Sequence, residues 1–272
     1  MKVLTPEQVE FYNEHGYVIV EDFLKRPALD TLLGALDRLV EEKARGLDQD
    51  REGFNVQRTG DEAGNYANDG KLVQPGLLRK IQEITKYSPE FAALAESPAL
   101  LDVVEDLIGP TIYYHSSKIM FKPARHGTPK PWHQDYAYWA SLKPEQVTCW
   151  LALDDATIEN GCMQVIPGSH KWGLLKHGQK ELQVDRRNLP LDRVKVAEMK
   201  AGSLLAFHVL TFHYSGANTS EKDRRSFIVD YDPNRRPVKE GFAGDRLLRI
   251  GGRAPTPEQI QAEQHAVAAV TA

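Results

Sequence analysis

The sequence predicts a mainly β fold with flanking helices. Helix signals crowd into the first 110 residues, and short β-branched and aromatic stretches separated by Gly, Pro and Asn turns fill the chain from there to about residue 231. The 272 residues are 41% hydrophobic, enough to bury a substantial core. Helices first and strands after place the helices on the outside of a β sandwich or barrel. A single domain is expected over residues 1–272: a mostly helical flank and lid loop in 1–110, the β core in 111–235 and a C-terminal extension in 236–272.

The elements follow in order. Thr5-Pro6-Glu7-Gln8 reads as an N-cap, a proline at the first helical position and a reciprocal glutamine, starting a helix that runs to His15-Gly16. Tyr17 to Val20 reads as a strand. Leu29, Leu32, Leu33, Leu36, Leu39 and Val40 recur at helical spacing, giving a helix from Pro27 to about Arg45 before Gly46. Residues 48–76 are polar and rich in Gly, Asp and Asn, a long loop with at most one strand, and a loop of that length commonly serves as a lid or a surface excursion. Ser88-Pro89-Glu90 and Ser97-Pro98 open two more helices, the second ending at Gly109.

After Pro110 the texture turns to strands: Thr111 to Lys122, the stretch around His133, Val147 to Leu153, Cys162 to Ile166, Ser203 to His213 and Ser226 to Tyr231. In Val147 to Leu153, one face carries valine, cysteine and leucine and suits packing under the helices. The other carries Thr148, Trp150 and Ala152 and turns Trp150 toward an interior cavity. Pro255 to Ala272 reads as a final helix.

Composition excludes several function classes. The formal charge of -4 is spread along the chain, which disfavours a nucleic-acid partner. Cys149 and Cys162 are the only cysteines and lack metal-ligand spacing, so both read as buried thiols rather than a disulfide or a zinc ribbon. No apolar run approaches membrane-spanning length and no apolar signal region opens the chain. A reducing, cytoplasmic setting is therefore expected.

Chemistry concentrates in Pro131 to Trp139. His133 and Asp135 lie two residues apart, so in an extended strand they project from the same side, with Gln134 opposite. An imidazole and a carboxylate are two parts of the 2-His-1-carboxylate triad that holds non-haem Fe(II) with open positions. Of the other histidines, His15, His115, His126, His177 and His265 suit ordinary helix, strand or loop roles, and His170 sits on a turn that lines the site. His208 and His213 remain; five positions apart on a straight strand, at most one of them points inward, and periodicity does not choose.

His133-Gln134-Asp135, the run from Asn160-Gly161-Cys162 through Ile166-Pro167-Gly168-Ser169-His170 to Gly173, Ala201-Gly202-Ser203, and His213-Tyr214-Ser215-Gly216-Ala217-Asn218 ending at Arg224 together resemble the phytanoyl-CoA dioxygenase family. The resemblance extends from Gly16-Tyr17-Val18 to Tyr231. It implies a double-stranded β-helix (jelly roll, cupin-like) core and an Fe(II)- and 2-oxoglutarate-dependent oxygenase using O2 and releasing succinate and CO2. It also implies His133, Asp135 and His213 as iron ligands, with His208 a neighbour. Arg224, eleven residues after His213, matches the arginine for the distal carboxylate of 2-oxoglutarate, a role that suits a planar guanidinium. Arg225 is its competitor on residue pattern alone. Ser215 and Trp150 fall at further 2-oxoglutarate contacts, and Lys118 at a position facing the co-substrate.

The substrate expected is a small organic molecule, in a pocket walled by Tyr136, Tyr138 and Trp139 with Phe54 and Tyr66 from the long loop. Arg125 and Lys130 are weak signals for phosphate, and nothing resembles a CoA site. The retained carboxylate favours hydroxylation or a related oxidation such as desaturation, because halogenating relatives put chloride at that position. Two other readings stay open: a non-catalytic β-sandwich that binds a small ligand, and a cupin-type dioxygenase that does not use 2-oxoglutarate.

Overall fold

Thr5 caps the first helix as its sequence demands: Thr5 Oγ1 accepts from Gln8 N at 3.3 Å, and Gln8 Oε1 accepts from Thr5 N at 2.9 Å. The computed structural model describes residues 1–61, 67–138, 143–178, 183–235 and 245–263. The first helix, α1 (Pro6–His15), ends at Gly16, whose φ of 81° is the left-handed conformation that favours glycine, and the chain passes into β1 (Tyr17–Val20). The helix α2 (Arg26–Lys43) stops two residues short of Arg45. The segment read as one loop holds β2 (Phe54–Val56), and β3 (Leu78–Gln82) follows it. Ser88 and Ser97 then cap α3 (Pro89–Ala95) and α4 (Pro98–Ile108) through their hydroxyls.

The remaining strands are β4 (Ile112–Lys122), β5 (Lys130–His133), β6 (Val147–Ala152), β7 (Met163–Val165), β8 (Lys195–Ala197), β9 (Leu204–His208), β10 (His213–Ser215), β11 (Arg224–Asp232) and β12 (Arg246–Arg249). They form two antiparallel sheets. The large one runs β1-β9-β6-β11-β4-β3-β2 with β12 also on β4, and the small one runs β5-β10-β7-β8. This is a jelly-roll core with the helices on one face. The predicted strand Ser203 to His213 is in fact two: the chain leaves the large sheet after His208 and enters the small one at His213, so simple alternation does not relate the two histidines. Of the final helix, residues 257–263 are helical and the rest lie outside the described residues.

Alternation sets the two faces of the large sheet. Val147, Cys149, Leu151, Phe227, Val229 and Tyr231 pack against the helices, where truncating a buried ring such as Phe227 to alanine costs about 3–5 kcal/mol. Trp150, Ala152, Leu205, Phe207 and Ile228 face Met163, Val165 and Ala197 of the small sheet. Thr148 and Trp150 thus turn to the interior as their alternation predicts, and both cysteines are buried and unpaired. Among the described residues no helix is long and apolar enough to cross a membrane.

Candidate metal centre and its cavity

The two sheets open at one end around a cavity of about 520 Å³. His133 closes β5 and His213 opens β10, and the antiparallel ladder sets them directly opposite each other, ring centroids 4.1 Å apart. His133 Nδ1 donates to Pro131 O at 2.8 Å, and His213 Nδ1 donates to Thr211 O at 2.9 Å. Each ring thereby keeps its proton on Nδ1 and turns the lone pair of Nε2 inward.

Asp135 meets them from a different element than expected. It is not on the strand but is the first residue of a 3-10 turn, Asp135–Tyr138, held where Tyr136 N donates to Val209 O at 3.1 Å. Its Oδ1 lies 3.5 Å from His133 Nε2 and 3.6 Å from His213 Nε2. Bonds of about 2.1 Å from one ion span such separations. Among the described residues these three are the group of His, Cys, Asp and Glu side chains that can hold a metal ion, with donor atoms all within 4.8 Å.

Charge states suit that role. Burial, reinforced by His213, pulls His133 down to about 3, so the imidazole is neutral and able to ligate. Burial also lowers His213. Burial opposes ionisation of Asp135, but His213, the His133 hydrogen bond and Lys118 outweigh it and hold the carboxyl well below the usual range. Two neutral imidazoles and one carboxylate on one side of a cavity are the donor set of a non-haem Fe(II) site with open positions.

The surrounding motifs hold this geometry. Gln134, fully buried, donates to Gly173 O and Leu210 O at 2.8 Å each and accepts from Leu175 N at 3.0 Å. His177 Nε2 accepts from Gln134 N at 3.0 Å. Ser169 Oγ accepts from Phe212 N at 2.9 Å, fixing the residue before His213. His170, expected to line the site, instead contacts Asn13 O at 3.2 Å and the ring of His208, and neither histidine lines the cavity. His170 sits against the end of α1, and His208 Nδ1 accepts from Leu210 N at 3.1 Å in the turn between the sheets.

Arg224 and Arg225 part cleanly. Arg224, Ile228 and Asp230 project from the same face of β11 into the cavity. Arg225 points the other way, donating to Asp154 and to Asp37 on α2 at 2.9 Å. Arg224 is 2% exposed; Nη1 donates to Ser226 Oγ at 3.1 Å and Nη2 to Gly161 O at 3.3 Å, while Nε has no hydrogen-bond partner among the described residues. Its Cζ stands 5.3 Å from the centre of the Trp150 ring. Burial lowers the guanidinium to about 10, so it stays charged at neutral pH. Ser215 and Lys118 also line the cavity, and Lys118 Nζ lies 3.9 Å from Asp230 Oδ2.

The aromatic wall is smaller than expected. Tyr138 lines the cavity, but Phe54 packs in the helix-side core and Tyr136 packs on Val209 and Leu210. Tyr66 and Trp139 lie outside the described residues. Arg125 pairs with Glu221 instead, whereas Lys130 lines the cavity. Ser116 and Asp230 line it too, beside Thr148, which alternation places on the inner face without a role. The signal was there for Asp230, a carboxylate in the middle of an apolar strand and in phase with Arg224.

The sequence model described as Phytanoyl-CoA dioxygenase (PhyH) matches residues 12–226. The chain is 28% identical over 234 residues to the probable alpha-ketoglutarate-dependent hypophosphite dioxygenase of Stutzerimonas stutzeri, covering 83% of this chain and 77% of that protein. It is 29% identical over 258 residues to a phytanoyl-CoA dioxygenase of Arabidopsis thaliana, covering 83% and 88%. The crystal structure of EctD from S. alaskensis with 2-oxoglutarate and 5-hydroxyectoine matches with a TM-score of 0.71 at 22% identity, over 93% of this chain and 87% of that one, a likeness of fold.

Proposed function

The chain belongs to the phytanoyl-CoA dioxygenase family, and from that premise we propose that it is an Fe(II)- and 2-oxoglutarate-dependent dioxygenase that hydroxylates a small organic molecule, releasing succinate and CO2. In this reading His133, Asp135 and His213 hold the iron, and Arg224 receives the distal carboxylate of 2-oxoglutarate. The observation that carries it is one cavity containing both an open triad of two neutral imidazoles with a carboxylate and a buried guanidinium with an unused N–H.

When bound, iron(II) supplies O2 activation coupled to oxidative decarboxylation of 2-oxoglutarate. The protein's own residues supply the rest. A buried guanidinium matches a carboxylate with a planar fork, and the unsatisfied Arg224 Nε is a donor ready for that acceptor. Trp150, 1% exposed beneath it, keeps water from that end and so strengthens the ion pair. The Nδ1 hydrogen bonds of His133 and His213 hold both rings with Nε2 inward. Asp135 fills the position that halogenating relatives leave to chloride, which favours hydroxylation. Two buried, unpaired cysteines fit a reducing compartment, and we place the protein in the cytoplasm.

The test is succinate release from 2-oxoglutarate by anaerobically prepared protein given Fe(II) and then oxygen, with and without candidate substrates. Background turnover that disappears in His133→Ala and Asp135→Ala is the expected result. No turnover, together with no heat of 2-oxoglutarate binding by calorimetry, would favour a non-catalytic binding protein. Turnover of another substrate with no need for 2-oxoglutarate would favour a cupin-type dioxygenase.

A further inference from the structure

The register across the large sheet brings to the cavity a lysine whose charge the proposed iron and 2-oxoglutarate site does not match. Lys80 on β3 lies opposite Met120 on β4, and Met120 lies opposite Ser226 on β11. With neighbouring strands about 4.8 Å apart, Lys80 stands about 10 Å from the strand that carries Arg224. On its other side the partner in the ladder is Asn55 of β2, and both residues line the cavity.

Most charges in the cavity have a use. Asp135 belongs to the triad, Arg224 to the co-substrate, and Lys118 is matched by Asp230. Lys122 Nζ donates to Thr128 O at 2.7 Å and to Gly216 O at 2.5 Å. Iron(II) and a 2-oxoglutarate dianion, with Asp135 and Arg224, neutralise one another. Lys80 is left over. Among the described residues its ammonium makes neither a hydrogen bond nor an ion pair, although the residue is half-buried. Burial and the like charges of Lys118, Arg79 and Lys130 pull its ammonium down to about 8, against a weaker opposing pull from Asp50. A cation held this way destabilises the protein on its own account, and groups so placed in a cleft mark binding sites.

We propose that the prime substrate is a small organic anion and that Lys80, with Asn55 beside it, receives its oxyanion at the side of the cavity across β4 from Arg224. The oxyanion is a carboxylate or a phosphoryl group; an ammonium accepts either as a point charge, and the Asn55 amide adds a neutral donor. The inference rests on the reading of the site as an Fe(II) and 2-oxoglutarate centre.

Calorimetry tests it without turnover. Anaerobic protein loaded with Fe(II) is first titrated with 2-oxoglutarate and then, at saturation, with hexanoate, hexyl phosphate, 1-hexanol or hexylamine. At least one anion is expected to bind about tenfold or more tightly than hexanol and hexylammonium, which tells carboxylate from phosphoryl recognition. Lys80→Gln is expected to lose about tenfold or more of that affinity, and Lys80→Arg to keep most of it, while 2-oxoglutarate affinity stays within about twofold of wild type. Binding of neither anion, equal binding of hexanol or hexylammonium, or an unchanged Lys80→Gln overturns the inference. Failure of the wild type in the first titration overturns the reading beneath it, and the order of the titrations tells the two apart.

Discussion

Thr148 Oγ1 lies 3.2 Å from Asp135 Oδ2 and 2.8 Å from Asp230 Oδ1. One hydroxyl proton thus stands between the triad carboxylate and a second buried carboxylate, which Ser116 Oγ also supports at 2.6 Å. The link runs from a turn after β5 to the middle strands of the large sheet. The triad residue that departs from strand geometry is thus tied to β6 and β11 in the middle of the large sheet.

Thr148→Val keeps the volume and removes that hydroxyl. Iron affinity is expected to fall by about 10- to 100-fold, as for other groups that orient metal ligands, and stability by about 1–3 kcal/mol because the one proton shared between two buried carboxylates is lost. Fe(II) titration and denaturant unfolding of the metal-free protein read the two effects separately. Unchanged iron affinity would show that Asp135 is positioned by its own turn.

Arg224→Ala and Arg225→Ala separate the two neighbouring arginines. Loss of Arg224 is expected to weaken 2-oxoglutarate binding by about 2–5 kcal/mol, the cost of leaving a buried carboxylate without its charged partner. Loss of Arg225, whose partners Asp154 and Asp37 lie toward α2, is expected to leave 2-oxoglutarate affinity unchanged and to reduce stability. Calorimetric Kd values for the two variants decide; equal effects would remove Arg224 from its role.

Much of the site was legible in the chain. His133 and Asp135 are close in sequence, the Asn160 to Gly173 and His213 to Asn218 runs carry family character, and Trp150 follows from alternation along one strand. What was not legible depends on how distant strands align. In the sequence the family offset alone favours Arg224 over Arg225; a physical reason for it requires that Phe227, Val229 and Tyr231 face the helices. β3, β8 and β12 are short and carry charges, so their periodicity is faint. Lys80 could not be placed near the cavity until β3 was seen beside β4. Family motifs also mixed two jobs: Ser169 and Asn218 hold backbone, with Asn218 Nδ2 donating to Lys122 O at 2.7 Å, and touch no ligand position.

Gly161 is a motif residue with a steric reason. Its φ is +81°, and a Cβ there would run into Gly216 O, while its own carbonyl accepts from Arg224 Nη2. Gly161→Ala is expected to cost about 2 kcal/mol or more in stability and to weaken 2-oxoglutarate binding severalfold. Gly173, at φ +73° and ψ -171° with nothing within 4 Å of a Cβ, is the uncrowded control: Gly173→Ala meets only the backbone penalty of this glycine-favouring conformation, about 1–3 kcal/mol, and is expected to leave 2-oxoglutarate affinity unchanged. Thermal unfolding and 2-oxoglutarate calorimetry on both variants distinguish crowding from backbone preference.

Lys80 gives a prediction in which removing a charge stabilises the protein. Its ammonium is at about 8 in the folded state, pulled down by burial, Lys118, Arg79 and Lys130 against Asp50, and near 10.4 in the unfolded chain. Between these values the unfolded chain binds the extra proton, so stability rises with pH through this window. Below about pH 8 the penalty is fully present. Lys80→Met is therefore expected to raise stability at pH 7 by about 1–2 kcal/mol after allowance for partial exposure, and to lose that advantage as pH approaches 10. Denaturant unfolding of wild type and variant at pH 7 and near pH 10 checks the sign. A Lys80→Met protein less stable than wild type at pH 7 would mean that the ammonium is already compensated, whereas the expected gain leaves substrate binding as the reason to keep a lysine there.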